Sequence, residues 1–302
     1  MSFEKVAIIG LGLLGGSIGL AVRQYLPETR TVGYDENADV RGRARELRLT
    51  DSVADTPQEA VRGADLVILC VPVGRMGEVA TEIAPALSAE TIISDVGSSK
   101  QSVMRALKAA LPDAIIIPAH PVAGTEHSGP DAGFATLFQQ RWCIVTPDET
   151  AGEEDIARLI TFWEALGALV ETMSLDHHDL VLAVTSHIPH LIAYTIVGTA
   201  SDLEKVTRSE VIKYSAGGFR DFTRIAASDP TMWRDVFLQN KDAVLDALDA
   251  FLTDLALMRE AIKAGDGEMM FDTFSRTRAI RRSIVALGQD DPRPDFGRKD
   301  HE

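Results

Sequence analysis

The feature that most constrains the fold of this chain is a glycine-rich turn between two apolar segments near the N-terminus. Residues 6–19 read VAIIGLGLLGGSIG. The run at 6–9 is typical of a buried strand, and the apolar pattern that resumes at Ser17 contains no proline and is typical of a helix. A strand, a tight glycine turn and a helix in this order can bind the pyrophosphate of a dinucleotide at the N-terminus of the helix.

Each glycine of this turn has a predicted role. Gly10 makes the turn, Gly12 lets the backbone approach a pyrophosphate, and Gly15 lets the helix pack closely on the strand. Leu13 and Leu14 lie between Gly12 and Gly15 and belong to the same predicted binding turn. Two other interpretations are a plain structural turn and a signal-peptide core or membrane span. The short run and its five glycines argue against a span.

Asp35 favours the dinucleotide interpretation over a plain turn. It ends a second strand-like run at 31–35, about twenty residues after the glycines, where an acidic side chain binds the ribose hydroxyls. A carboxylate at this point repels the additional phosphate of NADP. Glu36 adds negative charge, and no arginine is adjacent to Asp35 in the sequence. The sequence therefore predicts NAD as the cofactor.

Composition limits the class of protein. The 302 residues suffice for two domains, and 45% hydrophobic and 25% charged residues are ordinary for a globular protein. The net charge of −15 argues against a nucleic-acid or membrane partner and requires a locally basic pocket for any anionic substrate. Cys70 and Cys143 lie in apolar runs, which predicts buried free thiols. No signal peptide or membrane span is recognisable, so we expect a cytoplasmic protein.

Up to residue 173 the pattern alternates between strands and helices. This alternation predicts an α/β fold, with a parallel sheet covered by helices on both faces in a Rossmann-type dinucleotide-binding domain at 1–173. Ligands of such sheets bind at the carboxyl ends of the strands. We therefore expect Val71, Pro72 and Val73, which follow one strand, and Ser98, which follows the next, to contact the cofactor. The strands are predicted at 64–72, 91–96, 114–118, 142–145 and 168–171, with helices at 38–48, 76–87, 99–111 and 155–166.

From residue 175 onward strand patterns vanish. Helices are predicted at 178–200, with a kink at Pro189, and at 210–216, 230–264 and 268–287. They form an all-α domain at 174–288 that is too apolar to face water alone, which predicts a homodimer. The polar tail at 289–302 is expected to be disordered.

His120 is the leading acid–base candidate. It follows a predicted strand at the ligand-binding edge of the sheet, and imidazole titrates near neutral pH. A structural histidine is the alternative. Ser98 lies in a loop at another strand end. It is predicted to hydrogen-bond the reacting hydroxyl, to cap the helix that begins near Ser99, or to do both.

Two other clusters allow more than one interpretation. His187 and His190 share a helix face, so they indicate either a zinc site or buried polar histidines beneath the kink. No nearby cysteine or glutamate completes a ligand set, so we predict no metal. The second cluster, at 217–234, is either a solvated charged face or a pocket for a flat, cyclic anion. It interleaves Phe219, Phe222 and Trp233 with Arg220, Arg224 and Arg234.

Four segments resemble the prephenate/arogenate dehydrogenases of tyrosine biosynthesis, also called cyclohexadienyl dehydrogenases. They are DVGSSK at 95–100, HPVAGTE at 120–126, HDLVLAVTSHIPHL at 178–191 and GGFRDFTRIAASDPTMWRDVF at 217–237. The resemblance extends from the glycine turn to about residue 285. It implies a Rossmann domain followed by a helical dimerisation domain, and NAD-dependent oxidative decarboxylation of prephenate, arogenate or both. We expect neither a chorismate mutase domain before these segments nor a regulatory domain after them.

The resemblance also implies residue roles. His120 accepts the proton of the ring hydroxyl, Ser98 hydrogen-bonds that hydroxyl, and His190 helps to bind the substrate. Arg224 binds a substrate carboxylate. The remaining residues implied at the substrate pocket are Glu126 and Asp221, which form a gating ionic network with the arginine, and Thr125, Asp179, Gly217 and Trp233.

Other functions give different expectations. A 3-hydroxyacid dehydrogenase would use a lysine on the long helix, but 178–200 contains none. A non-catalytic dinucleotide sensor would need neither His120 nor Arg224, and a metal-dependent enzyme would lose activity in chelator. The sequence does not choose between prephenate and arogenate. Because tyrosine shares the ring oxygen and three-carbon side chain of the substrate, we expect it to act as an active-site inhibitor.

Overall fold

The computed structural model describes residues 3–125, 127–203 and 217–286. By backbone contacts the chain divides into two compact units, residues 1–247 and 248–302. Glu126, the predicted helix at 210–216 and the predicted tail at 289–302 lie outside the described residues. The domain boundary at 173 remains a prediction.

The described strands and helices follow the predicted alternation over the first part of the chain. The strands are β1 Lys5–Ile9, β2 Arg30–Tyr34, β3 Ser52–Val53, β4 Leu66–Leu69, β5 Ile92–Asp95, β6 Ile115–Ile116, β7 Ala119–Pro121, β8 Trp142–Val145 and β9 Leu169–Thr172. The helices of this part are α1 Leu13–Tyr25, α2 Ala38–Leu47, α3 Pro57–Val61, α4 Met76–Ile83, α5 Gln101–Ala110 and α6 Glu153–Ala165. Short 3-10 turns at Val73–Arg75, Ala84–Ala86 and Pro130–Ala132 extend or join them.

The predicted parallel sheet is present. Six strands pair in the order β3-β2-β1-β4-β5-β6, and every pairing is parallel. Strand β1 is central, with Ile9 opposite both Tyr34 of β2 and Leu69 of β4. The chain winds outward in opposite directions from β1 and β4, and a sheet of this topology binds its ligand in the crevice between those two strands.

Both faces of this sheet are buried, which explains the nearly uninterrupted apolar runs of its strands. Successive side chains of β1 point to opposite faces. Val6 and Ile8 belong to one core cluster, whereas Ala7 and Ile9 belong to the other. The first cluster includes buried residues of α1 and α6, and the second includes those of α4 and α5. Helices on both sides therefore hold the strand ends rigidly.

The last three strands do not join the predicted parallel sheet, because they form a separate three-stranded sheet. Its order is β7-β8-β9, with β7 antiparallel and β9 parallel to β8. Pro118 follows the two-residue strand β6 and has no N–H to continue that ladder. Its carbonyl instead accepts the N–H of Thr146 at 2.9 Å, beside β8. His120 consequently lies within strand β7, opposite Ile144, and not in a loop.

The long predicted helix at 178–200 is interrupted by one wide turn. Helix α7 (Leu175–Leu182) passes into a π-helical turn at Ala183–His187 and continues as α8 (Ile188–Leu203). Pro189 lies two residues after this turn, so its missing N–H coincides with the local break in the α-helical hydrogen-bond pattern. Residues 175–202 are long and apolar enough to cross a membrane by length and composition alone, a test that core helices also pass. The absence of a membrane partner remains a prediction.

The remaining described helices are α9 Gly217–Thr223, α10 Pro230–Gln239, α11 Lys241–Ala264 and α12 Gly267–Ala286, with a 3-10 turn at Arg224–Ala227. The single helix predicted at 230–264 is wrong, because Asn240 leaves the helical conformation between α10 and α11. Within the second unit, large apolar side chains are exposed along both helices: Leu252, Leu255, Leu257, Ile262, Phe271, Phe274 and Ile280.

Candidate active site

The glycine turn connects β1 to α1 and leaves space on one side. Gly10 adopts a φ of +101°, and its N–H donates to the carbonyl of Tyr34 at 2.7 Å. A Cβ on Gly15 would lie 1.9 Å from the carbonyl oxygen of Gly10, so only glycine allows this packing of helix on strand. A Cβ on Gly12 would meet nothing within 4 Å. Gly12 is also the N-cap of α1, and Leu13 and Leu14 open its first turn. The open side of the turn therefore has room for a phosphate at the N-terminus of the helix.

Asp35 lies directly after β2 and is bonded to the glycine turn. Its Oδ2 accepts the N–H of Leu11 at 2.9 Å, and its Oδ1 accepts the N–H of Asn37 at 3.0 Å. An arginine does lie beside it in space, which corrects the expectation from the sequence. Arg41, in the first turns of α2, donates to the carbonyl of Asp35 at 2.8 Å and lies over the ring of Tyr34.

The ends of β1, β4 and β5 meet at this crevice. A Cβ on Gly10 would lie 3.3 Å from Cγ1 of Val71, and a Cβ on Gly97 would lie 2.6 Å from Cγ1 of Val73. Pro72 is exposed between these two valines. The structure thus places Val71 next to Gly10 of the glycine turn and Val73 next to Gly97, which follows β5.

A buried ion pair, which the sequence analysis did not identify, joins β5 to β7. The Lys100 Nζ donates to Asp95 Oδ2 at 2.5 Å and to the carbonyl of Ala119 at 2.7 Å, and both charged side chains are fully buried. Burial raises the pKa of Asp95 and lowers the pKa of Lys100, while the attraction between the two opposes both shifts. Because Ala119 immediately precedes His120, the pair fixes the strand that carries the predicted base.

His120 is buried and paired with a second histidine. Its Nδ1 lies 2.9 Å from Nε2 of His178 in α7. Burial, followed by the electrostatic effect of the neighbouring His178 and Lys100, holds the pKa of His120 well below 6.5. The imidazole is therefore neutral at neutral pH and can accept a proton.

Asp179 caps helix α5, a role the sequence analysis considered for Ser98. Its carboxylate accepts the backbone N–H groups of Lys100 at 2.7 Å and Gln101 at 3.0 Å. Helix α5 begins at Gln101 with Lys100 as its N-cap, so the prediction of Ser98 as the cap is wrong. Ser98 is half-buried in the turn between β5 and α5.

His187, at the end of the wide turn, and His190, in α8, have separate protein partners. Nδ1 of His187 accepts from the amide of Asn240 at 3.2 Å, and the same amide donates to the carbonyl of Asp179 at 2.8 Å. His190 Nδ1 donates to a backbone carbonyl at 2.8 Å, and its ring stacks on Trp233 with centroids 3.6 Å apart. Burial lowers the pKa of His187 to about 4. The described residues contain no group of three His, Cys, Asp or Glu arranged to hold a metal ion.

Arg224 is the half-buried arginine of the charged segment, whereas Arg220 and Arg234 are exposed. Burial, and after it the charge of Arg224, lower the pKa of His190. The hydroxyl of Tyr194 in α8 donates to the carbonyl of Ser228 at 2.6 Å and ties the segment to the long helix.

The proposed ionic network around Arg224 remains a prediction. Asp221 is exposed in α9, and a Cβ on Gly217 would lie 3.7 Å from its Oδ2. Thr125 is exposed at the edge of the described loop, and its hydroxyl accepts the N–H of His127 at 3.2 Å. The third member, Glu126, lies outside the described residues.

Four further residues contribute to this site although the sequence predicted no role for them: Asp95, Lys100, His178 and Asn240. The pairing of Asp95 with Lys100 could have been predicted. Asp95 ends an apolar strand and Lys100 follows five residues later, and two charged side chains that are both buried need partners. His178 and Asn240 act through contacts with distant segments, which a local pattern does not encode.

The chain matches known proteins over most of its length. Residues 18–172 match the family model of the prephenate dehydrogenase nucleotide-binding domain, and residues 174–276 match that of the prephenate dehydrogenase dimerization domain. A cyclohexadienyl dehydrogenase of Zymomonas mobilis is 49% identical over 93% of this chain and 96% of its own length. A prephenate dehydrogenase of Bacillus subtilis is 34% identical over 93% of this chain and 76% of its own. A crystal structure of prephenate dehydrogenase from A. aeolicus, in complex with hydroxyphenyl propionate and NAD+, is 32% identical, covers 94% of this chain and 99% of its own, and has a TM-score of 0.86.

Proposed function

Because this chain belongs to the prephenate dehydrogenase family, we propose that it catalyses the NAD-dependent oxidative decarboxylation of prephenate, arogenate or both. Prephenate would yield 4-hydroxyphenylpyruvate and carbon dioxide, and arogenate would yield tyrosine and carbon dioxide. The observation that carries the proposal is His120, a buried base whose lowered pKa keeps it neutral, on a strand tied by Lys100 to the carboxyl end of β5. An alcohol oxidation needs such a base beside the dinucleotide crevice.

His120 and Ser98 have different roles in the proposed reaction: the first transfers a proton and the second positions the substrate. His120 takes the proton of the ring hydroxyl at Nε2, and Ser98 hydrogen-bonds the same hydroxyl. Bound NAD supplies the acceptor for the hydride that leaves the hydroxyl-bearing carbon. Loss of carbon dioxide then makes the ring aromatic, which drives the reaction forward.

Substrate binding requires positive charge on a chain whose net charge is −15. Arg224 supplies a guanidinium that can hold a carboxylate by two parallel hydrogen bonds. His190, stacked on Trp233, retains an Nε2 lone pair because its Nδ1 donates to a carbonyl. It can therefore accept a hydrogen bond from the substrate or, when protonated, donate one.

The test is to mix the protein with NAD and prephenate and to follow the absorbance of the reduced nicotinamide, with arogenate in a parallel assay. Turnover should depend on substrate and persist in chelator. No turnover with either substrate would contradict the proposal. NAD binding without any turnover would favour a dinucleotide sensor, and turnover only with a 3-hydroxyacid would favour that class of dehydrogenase.

We further propose that the protein is a cytoplasmic homodimer. The support for the dimer is the exposed apolar surface along the two helices of the second unit, exemplified by Leu255, Ile262 and Phe271. Single exposed apolar residues are normal on a protein surface, whereas many of them along the same two helices are typical of a protein–protein interface. Light scattering after size exclusion should give twice the mass of the chain, and cell fractionation should place the protein with cytosolic markers. A monomer at micromolar concentration would contradict the dimer.

A further inference from the structure

His178 connects the predicted base to a carboxylate. It is fully buried, with Nε2 2.9 Å from Nδ1 of His120 and Nδ1 2.9 Å from Oδ1 of Asp179. The three side chains therefore form one hydrogen-bonded line, His120–His178–Asp179. His178 has no role in the residue assignments made above for substrate or cofactor.

The protons on this line follow from which atoms can donate. Asp179 accepts the backbone N–H groups of Lys100 and Gln101 and, being a carboxylate, can only accept from His178 as well. Nδ1 of His178 must then carry a proton. Burial lowers the pKa of His178, so the ring is neutral and its Nε2 is an acceptor. It follows that Nδ1 of His120 carries the proton and that Nε2 of His120 holds the free lone pair.

We propose that His178 is a positioning residue that holds His120 in the tautomer whose Nε2 accepts the substrate proton. The inference rests on the proposed function. When Nε2 takes that proton, His120 becomes an imidazolium, and its Nδ1–H bond to His178 becomes charge-assisted and stronger. No second proton moves, because His178 already donates its own proton to Asp179. His178 thus stabilises the charge that develops as the hydroxyl is deprotonated.

The groups around the line act differently on its two rings. Burial is the first cause that lowers the pKa of His120, followed by His178, Lys100 and His187. Asp179 and Asp95 face His178 and favour positive charge on it, whereas Lys100 opposes it. The line therefore keeps His120 neutral before the reaction and supplies an acceptor for its Nδ1–H during the reaction.

The kinetic test compares two substitutions with a matched control. His178→Leu removes both hydrogen bonds, and His178→Gln keeps an acceptor oxygen toward His120 and an amide donor toward Asp179. His177→Leu, at an exposed neighbouring position, is the control. Losing one hydrogen bond to a charged group should lower kcat of His178→Leu by about ten- to a hundredfold. Its KM and NAD affinity should change little, His178→Gln should recover most of kcat, and the control should match the wild type.

A second measurement determines the tautomer of His120 and does not depend on turnover. In 15N-histidine-labelled protein, long-range nitrogen–proton correlation spectra distinguish an Nδ1–H ring from an Nε2–H ring, and His120→Asn identifies the signal of His120. We expect Nδ1–H in the wild type and in His178→Gln, and a mixture in His178→Leu. An Nε2–H form in the wild type, or normal kcat in a folded His178→Leu, would overturn the proposal. If His178→Leu does not fold, the wild-type spectrum and the kcat of His178→Gln decide whether the proposal holds. Failure of the proposed function would appear separately, as absent turnover in the wild type.

Discussion

The carboxylate of Asp35 accepts a hydrogen bond from the backbone N–H of Leu11, with 2.9 Å between Oδ2 and the nitrogen. Leu11 lies inside the glycine turn, so this bond fixes the predicted ribose-binding acid relative to the predicted pyrophosphate site. Arg41 donates to the carbonyl oxygens of Asp35 and Glu36 at 2.8 and 3.1 Å. We therefore expect the preference for NAD over NADP to depend on the carboxylate of Asp35 and the nearby guanidinium of Arg41.

Asp35→Asn should shift the ratio of kcat/KM for NADP to that for NAD upward by about ten- to a hundredfold. The substitution keeps an acceptor for Leu11 but removes the charge that repels the additional phosphate, and Arg41 remains close by to attract it. Glu36→Gln is the control, because Glu36 is exposed and paired with Arg75 at 3.2 Å, and its ratio should change less. Equal use of both cofactors by the wild type would contradict the role of Asp35.

His120→Asn should lower kcat by about a hundred- to ten-thousandfold, which is the range for loss of a general base. The amide has a similar size but cannot accept the proton. NAD binding, measured by titration, should be nearly unchanged, and His177→Asn should behave as wild type. If His120→Asn keeps near-normal turnover, the base lies elsewhere, and His190 becomes the next candidate.

The pH dependence should reveal the buried state of His120. Because its pKa is lowered well below 6.5, the active neutral form persists as the solution becomes more acidic, and kcat/KM should not fall between pH 8 and about 6.5. An ordinary histidine would already be half protonated at the lower limit. Initial rates across this range, with enzyme pre-incubated at each pH and assayed at pH 8 as the stability control, provide the check. A midpoint near 6.5 would show that His120 is not shielded.

Arg224→Ala should raise KM for the substrate by about ten- to a hundredfold, since a hydrogen bond to a charged group contributes roughly 1.5–3 kcal/mol. The affinity for NAD and the melting temperature should stay close to wild type. Arg220→Ala removes an exposed arginine four residues earlier and should leave KM unchanged. An unaltered KM together with a lower melting temperature would make Arg224 a structural residue.

Tyrosine should inhibit competitively with prephenate or arogenate and without strong cooperativity. It keeps the ring oxygen, which His120 and Ser98 can hydrogen-bond, but lacks the ring carboxylate that Arg224 would bind, so its affinity should be modest. Initial rates at several tyrosine concentrations test the pattern, and direct binding to His120→Asn tests the shared contacts. Binding of tyrosine beside a saturating substrate analogue would reveal a second site.

The sequence by itself determined the dinucleotide turn, its acid and the parallel sheet, because these depend on local rules. Gly10 adopts positive φ, and Gly15 has no room for a Cβ, so both identities report backbone geometry directly. Apolar runs of four to six residues predict strands buried on both faces. The same rules failed at two places. After Pro118, which has no N–H to continue the ladder, the chain enters a second sheet. At Asn240, whose side chain bonds to Asp179 and His187, a continuous helical pattern is divided into two helices.

Only the tertiary structure decided the chemical environment of the base. His120 and His178 are 58 residues apart in the chain, and Lys100 and Asp179 are 79 apart. Protonation states depend on burial and on the neighbours of each group, and neither is encoded in local spacing. The residue types therefore marked His120 as a candidate base, whereas the packing of α7 and Lys100 against β7 set its hydrogen-bond partner and lowered its pKa.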